Sequence, residues 1–303
     1  MTPASWIWIP LVLAAAGAQT IRNAAQRSLV ESAGTLAATL VRFLYGLPFT
    51  FAALGIVVAT SPGGLPAPST PFLAWVALGA IAQLVATAFL IRAMAARSFV
   101  VAVTFSKTEI VQIGLFSIAL LAEPVTAAAV IAIALASVGV LLLSARQGTM
   151  PGADVRTWLS PSAAIGLASG ACFALSAVGY RGAAIALGHP LPWVSGIYAL
   201  AWAQSLQTLL LGSYLAVRER SNLVVVLVAW RVSLLAGFTG SLASMGWLTA
   251  FAMRSAVDVR IVGLVEVLYS YLLSRRWFAE RVSGRETLGI ALVVAGIVLV
   301  SVR

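Results

Sequence analysis

Lys107 and Glu109 stand two residues apart in an apolar run, Ser98 to Leu121, that is long enough to cross a bilayer. A charge at the centre of a membrane helix costs about 2.5–3.5 kcal/mol on insertion scales, so such groups face protein or water and mark routes for ions or substrate. Glu266 occupies a matching place late in the chain. Two carboxylates in apolar surroundings can take up and release protons, with burial and neighbouring cations setting when they do so. Glu109 and Glu266 are therefore the candidate proton-coupling pair. On a regular helix Lys107 points about 200° away from Glu109, so it must answer to another helix, with Glu266 one candidate. Gln112 shares the Glu109 face, with Phe105 and Phe116.

The remaining candidates are basic, amide or aromatic. Gln19, Arg22, Asn23 and Gln26 follow an i, i+3, i+4, i+7 spacing and form one polar face. That face lines either a water-filled cavity or a hydrogen-bonded seam with a neighbouring helix. Arg42 and Tyr45 precede the helix-kinking Pro48, and Arg181 repeats the Arg22 context in the second half. Trp202 and Tyr269, with Tyr198, Gln204 and Trp247, offer aromatic and amide surface for the organic part of a ligand. The expected substrate-binding set is Gln19, Arg22, Asn23, Arg42, Tyr45, Lys107, Glu109, Gln112, Arg181, Trp202, Glu266 and Tyr269. Arg260 and Asp258 offset each other in this reading. Arg22, Arg42, Lys107 and Arg181 then exceed Glu109 and Glu266 by about two charges, an excess that calls for an anionic group on the ligand.

The elements that carry these residues follow from composition. Of 303 residues 61% are hydrophobic and 9% charged, with a mean hydropathy of +1.02. Soluble domains carry about 25% charge, and barrel strands alternate polar and apolar residues, so continuous apolar runs of this kind belong to membrane helices. The net charge of +10 does not indicate nucleic acid, because the arginines are spread over short connections. A single cysteine, Cys172, rules out an internal disulfide and a multi-cysteine metal site, and the single histidine, His189, lies in a short turn. No cofactor or metal is expected. The N-terminal run lacks a basic lead and reads as a retained first span.

Ten helices are expected: Ser5–Ser28, Gly34–Ala59, Phe72–Ala95, Ser98–Leu121, Pro124–Ser144, Ala163–Leu187, Trp193–Val217, Leu223–Met253, Ala256–Phe278 and Val282–Val302. Pro124 stands in the first turn of the fifth. The polar link 145–160 divides repeat 1 (1–147) from repeat 2 (158–303). Shifting the chain by 157 superposes Glu109 on Glu266, Arg97 on Arg254, Glu123 on Glu280 and Gly139 on Gly296. Five helices per repeat is an odd number, so the second repeat must enter the membrane inverted. The arginines agree: twelve lie at junctions on one face, and only Arg254 and Arg303 on the other. This asymmetry puts both termini outside and the 145–160 link in the cytoplasm. The fold class is thus an all-α, multi-pass membrane protein of ten helices in two inverted five-helix repeats.

Each repeat ends in a short Leu/Phe-Ala-Glu turn and a helix with a late glycine, Glu123 with Gly139 and Glu280 with Gly296, and Arg42 stands in the second helix. On these residues the chain resembles the ten-helix, EamA-like branch of the drug/metabolite transporter superfamily, over nearly its whole length. The family's usual helix 4 proline has no counterpart near Lys107, and the family's usual cytoplasmic termini differ from the charge count. The resemblance implies a secondary active transporter of the inner membrane. It would act as exporter or exchanger, by alternating access, on a small polar metabolite such as an amino acid or organic anion, with the proton as candidate coupling ion. The expected partners are that small molecule, protons and membrane lipid, with monomer and homodimer both open and no nucleic acid. A channel-like facilitator or a small multidrug exporter is the alternative. An intramembrane enzyme ranks lower, because no HExxH, cysteine cluster or nucleophile–base pair is present.

Overall fold

The computed structural model describes residues 6–61, 64–94, 105–106, 108–144, 161–269 and 284–302, and among them it is helical with no strand. Lys107, the start of the expected fourth helix, the 145–160 link and the stretch holding Glu280 lie outside the described residues. Among the described residues five stretches are long and apolar enough to cross a membrane: Trp8–Thr60, Thr70–Leu90, Ala163–Leu187, Trp230–Met253 and Gly284–Ser301. The polarity is that of a membrane protein. Ile56, Leu115 and Leu209 are more than 60% exposed, while Gln204, Gln207 and Glu286 are at most 2% exposed. By internal contacts the chain forms two units, each drawing on both sequence halves: Met1–Ile81 with Gly179–Arg254, and Ala82–Val178 with Ser255–Arg303.

In the first unit, α1 (Trp8–Leu44) reverses at Gly34, whose φ of 73° and ψ of 168° are open to glycine and strained for other residues. The Gln26 side-chain amide donates to the Ala38 carbonyl at 2.7 Å. In a straight helix those residues would stand about 18 Å apart, so α1 is a hairpin of two arms. The second arm breaks at Tyr45–Gly46, and α2 (Leu47–Thr60) follows with Pro48 in its first turn. Pro48 has no N–H to give Leu44, which is why the ladder stops there. The hairpin packs chiefly on α9 (Trp230–Met253), and also on α7 (Pro192–Arg218) and α8 (Arg220–Val228). The expected single helix Leu223–Met253 is instead divided at Ala229. The break is stable because the hydroxyls of Ser233 and Tyr45 take the freed carbonyls: Ser233 donates to Val226, and Tyr45 to Val226 and Leu227.

Two helices contain unit boundaries, α3 (Thr70–Met94) and α6 (Pro161–Leu187). The second unit adds α4 (Glu109–Leu121), α5 (Ala127–Ser144), α10 (Ala256–Gly263) and α11 (Gly284–Ser301). Left-handed Ala122 ends α4, and the Glu123 N–H closes back on the Ser117 carbonyl at 3.1 Å. Pro124 therefore lies before α5 and not in its first turn. Thr126 is the residue that caps α5, its hydroxyl accepting from the Ala129 N–H at 3.3 Å. The expected helix Ala256–Phe278 is interrupted by a turn at Leu264 and resumes over 265–269.

The packing of α5 on α11 is reciprocal. A Cβ on Gly139 would meet the Gly289 carbonyl at 2.7 Å and Val293 at 2.8 Å; one on Gly296 would meet the Ala132 carbonyl at 3.0 Å and Ala136 at 3.4 Å. Contact moves forward along α5 as it moves backward along α11, so the two helices are antiparallel. Under the shift of 157, Gly289 corresponds to Ala132, Val293 to Ala136 and Gly296 to Gly139. Each repeat's helix thus presents the same patch to the other.

Candidate functional site

The candidate site lies in the first unit, where the two arms of α1 bring Arg22 and Arg42 against Gly240 of α9. A Cβ at Gly240 would come within 3.1 Å of Arg22 Cδ and 3.3 Å of Arg42 Cβ, so the hydrogen of glycine makes room for both basic stems. At Gly240 the space left by the missing side chain thus goes to arginine side chains and not to a second helix backbone. Arg22 is 8% exposed. Its Nε and Nη2 both donate to Asn23 Oδ1, at 3.2 and 2.7 Å. The Arg42 guanidinium lies 4.4 Å from the Phe43 ring centroid, a cation–π contact. Its Nε and Nη2 are buried and meet no hydrogen-bond acceptor. Arg22 and Tyr180 are within electrostatic range of it.

A buried polar network fixes the backbone on which Arg42 stands. At the Gly46 break the Gln204 amide donates to the Arg42 carbonyl at 3.0 Å and to Ser241 Oγ at 3.2 Å. Ser241 donates to the Gly46 carbonyl at 2.8 Å, and Thr50 donates to Gln204 Oε1 at 2.5 Å. The carbonyls freed by the break are thereby satisfied by side chains of α7 and α9, as buried backbone acceptors require. Sequence reasoning named Gln204 only as a cavity candidate and missed Thr50, Ser241 and Gln207. Gln207 donates to the Ala80 carbonyl at 3.1 Å and to the Tyr180 hydroxyl at 3.4 Å. The available signal was Gly46 and Pro48 two residues apart, which marks a break whose carbonyls need donors.

Other expected site residues in this unit have structural partners. Gln19 Oε1 accepts from the Trp247 indole at 3.1 Å, and Gln26 ties the hairpin, so the polar face is in part a helix–helix seam. Tyr45 caps α8. Arg181 donates to the Phe251 carbonyl at 2.8 Å and to that of Ala252 at 3.4 Å, placing a cation at the C-terminus of α9. Trp202 is 41% exposed, edge-on to Tyr198 at 6.4 Å.

In the second unit Arg260 Nη2 meets Glu109 Oε1 at 2.5 Å. Arg260 thus reaches α4, and Asp258 lies in the first turn of α10, where its N–H is capped by Ser255. The Gln112 side-chain amide donates to Thr108 Oγ1 at 2.8 Å, and its Oε1 is buried without a donor. Glu266 and Tyr269 are half-buried near the end of the described stretch. Glu286, passed over in the sequence, is 2% exposed in the first turn of α11, a position where the helix dipole favours a carboxylate. A cavity of about 110 Å³ is lined, among the described residues, by Thr108, Ser137 and apolar side chains such as Leu264. Of the expected set, then, Arg22, Asn23 and Arg42 come together in one unit, Glu109, Gln112, Glu266 and Tyr269 fall in the other, and Lys107 lies outside the described residues.

No protein-family model and no curated protein matches the chain. Several solved structures match; one of them, a crystal structure at 18% identity, does so with a TM-score of 0.70 over 98% of this chain and 96% of that one. At that identity the likeness establishes a shared fold over essentially the full length, and no more.

Proposed function

We propose that this chain is a secondary active transporter of a small anionic or zwitterionic metabolite, an amino acid or organic anion, working by alternating access as exporter or exchanger. The observation that carries this reading is Arg42, whose buried Nε and Nη2 meet no acceptor in a chain with an apolar outer surface. An unanswered buried cation is costly, and a transported anion supplies the missing acceptor only while bound. On this reading the protein is multi-pass in the inner membrane, with ten spans in two inverted repeats, as in the EamA-like branch of the drug/metabolite transporter superfamily. The reciprocal antiparallel contact of α5 and α11 supports the inversion: an isologous patch implies a two-fold axis across the helices. Protons are the proposed coupling ion, through Glu109 and Glu266; a proton on Glu109 would remove its charge from Arg260.

Uptake into proteoliposomes tests the proposal, using a panel of radiolabelled amino acids and small carboxylic acids with and without a pH gradient. Accumulation above the outside concentration, driven by a proton gradient or by exchange, is the expected result. Downhill equilibration alone would indicate a channel-like facilitator. Glu109→Gln with Glu266→Gln keeps shape and hydrogen bonding but removes titration, and should abolish the pH dependence of uptake; unchanged dependence would eliminate the coupling role.

A further inference from the structure

We propose that Arg42 is the carboxylate receptor of this site and takes a planar carboxylate edge-on, through Nε and Nη2. The inference rests on reading the Arg22–Arg42 region as the substrate site. Along its Nε–Nη2 edge a guanidinium presents two parallel N–H groups, which match the two oxygens of a carboxylate. In Arg22 this edge is occupied, both nitrogens donating to Asn23 Oδ1. In Arg42 the same two nitrogens are buried with no acceptor. The residues after Arg42, Phe43 and Leu44, have no side-chain acceptor, so nothing there plays the part of Asn23. The Phe43 ring at 4.4 Å covers one face of the guanidinium, which leaves the edge for recognition.

The surroundings hold this edge in place. The Arg42 carbonyl is fixed by Gln204, and its Cβ rests against Gly240. With Asn23 holding the Nε–Nη2 edge of Arg22, the matching edge of Arg42 is the one offered to a ligand, and Arg22 contributes charge. One fork satisfies a planar carboxylate; a tetrahedral phosphate, with a third oxygen to satisfy, would draw on both arginines. The site therefore selects the carboxylate of an amino acid or organic acid over a phosphate of similar size.

Binding to the full-length protein in detergent micelles tests this by calorimetry, with acetate, glycine, phenylalanine and succinate as carboxylate probes, and inorganic phosphate and tetramethylammonium as controls. At least one carboxylate should bind in preference to phosphate. Arg42→Lys keeps the charge but loses the fork, and should weaken that carboxylate on the order of 30-fold while changing phosphate by less than about threefold. Failure of every carboxylate to bind the wild type would overturn the proposal. So would carboxylate binding unaffected by Arg42→Lys, or an equal loss for phosphate. Should Arg42→Lys not fold, Asn23→Ala decides: removing the acceptor on Arg22 should raise succinate and phosphate affinity relative to acetate, and an unchanged ratio would overturn the proposal. Carboxylate binding without vesicle uptake would count against the transport reading alone. Uptake of some other solute, with no Arg42-dependent carboxylate binding, would count against this inference alone.

Discussion

The two units treat a buried arginine in opposite ways. In the second, Arg260 is answered by Glu109 from a neighbouring helix, and each side chain is at most 25% exposed. In the first, Arg42 has a fixed backbone, an aromatic ring on one face and two buried donors with no acceptor. Where the fold supplies a carboxylate, the arginine contributes to the fold. Where it supplies only a framework, the arginine is held ready for a group from outside. The glycines divide in the same way. Gly139 is pressed on the backbone of the opposite helix, whereas Gly240 makes room for flexible arginine stems.

The largest effect that sharpens this contrast is expected at Gly139. Its Cβ would stand 2.7 Å from a backbone oxygen that cannot move aside without shifting α11, so Gly139→Val should cost about 3 kcal/mol or more. Thermal unfolding in detergent measures this, and a change of less than about 1 kcal/mol would mean that the α5–α11 contact is looser than described. Next comes Gln204→Leu, which strips donors from the Arg42 carbonyl and Ser241 and an acceptor from Thr50; about 2 kcal/mol is expected. Arg42-dependent binding should fall with it, because the backbone under Arg42 is no longer fixed. The smallest stability effect is expected at Gly240→Ala, where the nearest atom is a side-chain carbon, Arg22 Cδ, at 3.1 Å. Under about 1 kcal/mol should be lost, while carboxylate affinity drops by about tenfold as the arginine stems shift. A stability loss equal to that of Gly139→Val would erase the distinction between the two glycines.

Helix content, apolar character and some of the breaks were legible in the sequence, because they depend on local chemistry: Gly34 at the reversal, the kinking Pro48 and the turn before α7. The expected helix Gly34–Ala59 nonetheless runs through the break at Tyr45–Gly46, whose freed carbonyls are met by the distant Gln204 and Ser241. The break at Ala229 was not legible, because it is stabilised by Tyr45, which lies nearly two hundred residues away in the chain. Pro124 misled for the opposite reason. A proline suits a first helical turn, but the left-handed Ala122 and the Thr126 cap set the boundary three residues later. At the site, helical spacing placed Arg22 and Asn23 on one face and brought Arg42 into the candidate list. Which arginine is answered by a carboxylate depends on long-range packing, so the ion pair of Arg260 with Glu109 could not be read from the sequence. Arg181 followed the repeat pattern of Arg22, yet it serves a helix end formed by a distant stretch of chain.

Comparing Arg42→Met with Arg260→Met by thermal unfolding, in detergent without any added solute, tests the central claim most directly. If Arg42 is held for a ligand, removing its unanswered charge leaves the protein as stable as the wild type or up to about 1 kcal/mol more stable. Arg260→Met leaves Glu109 without its partner and should cost about 2 kcal/mol, less than for a fully buried pair because both groups retain some exposure. Opposite signs, or a neutral Arg42→Met beside a destabilised Arg260→Met, are the predicted result. An Arg42→Met protein destabilised as much as Arg260→Met would show that Arg42 serves the fold and would contradict the account.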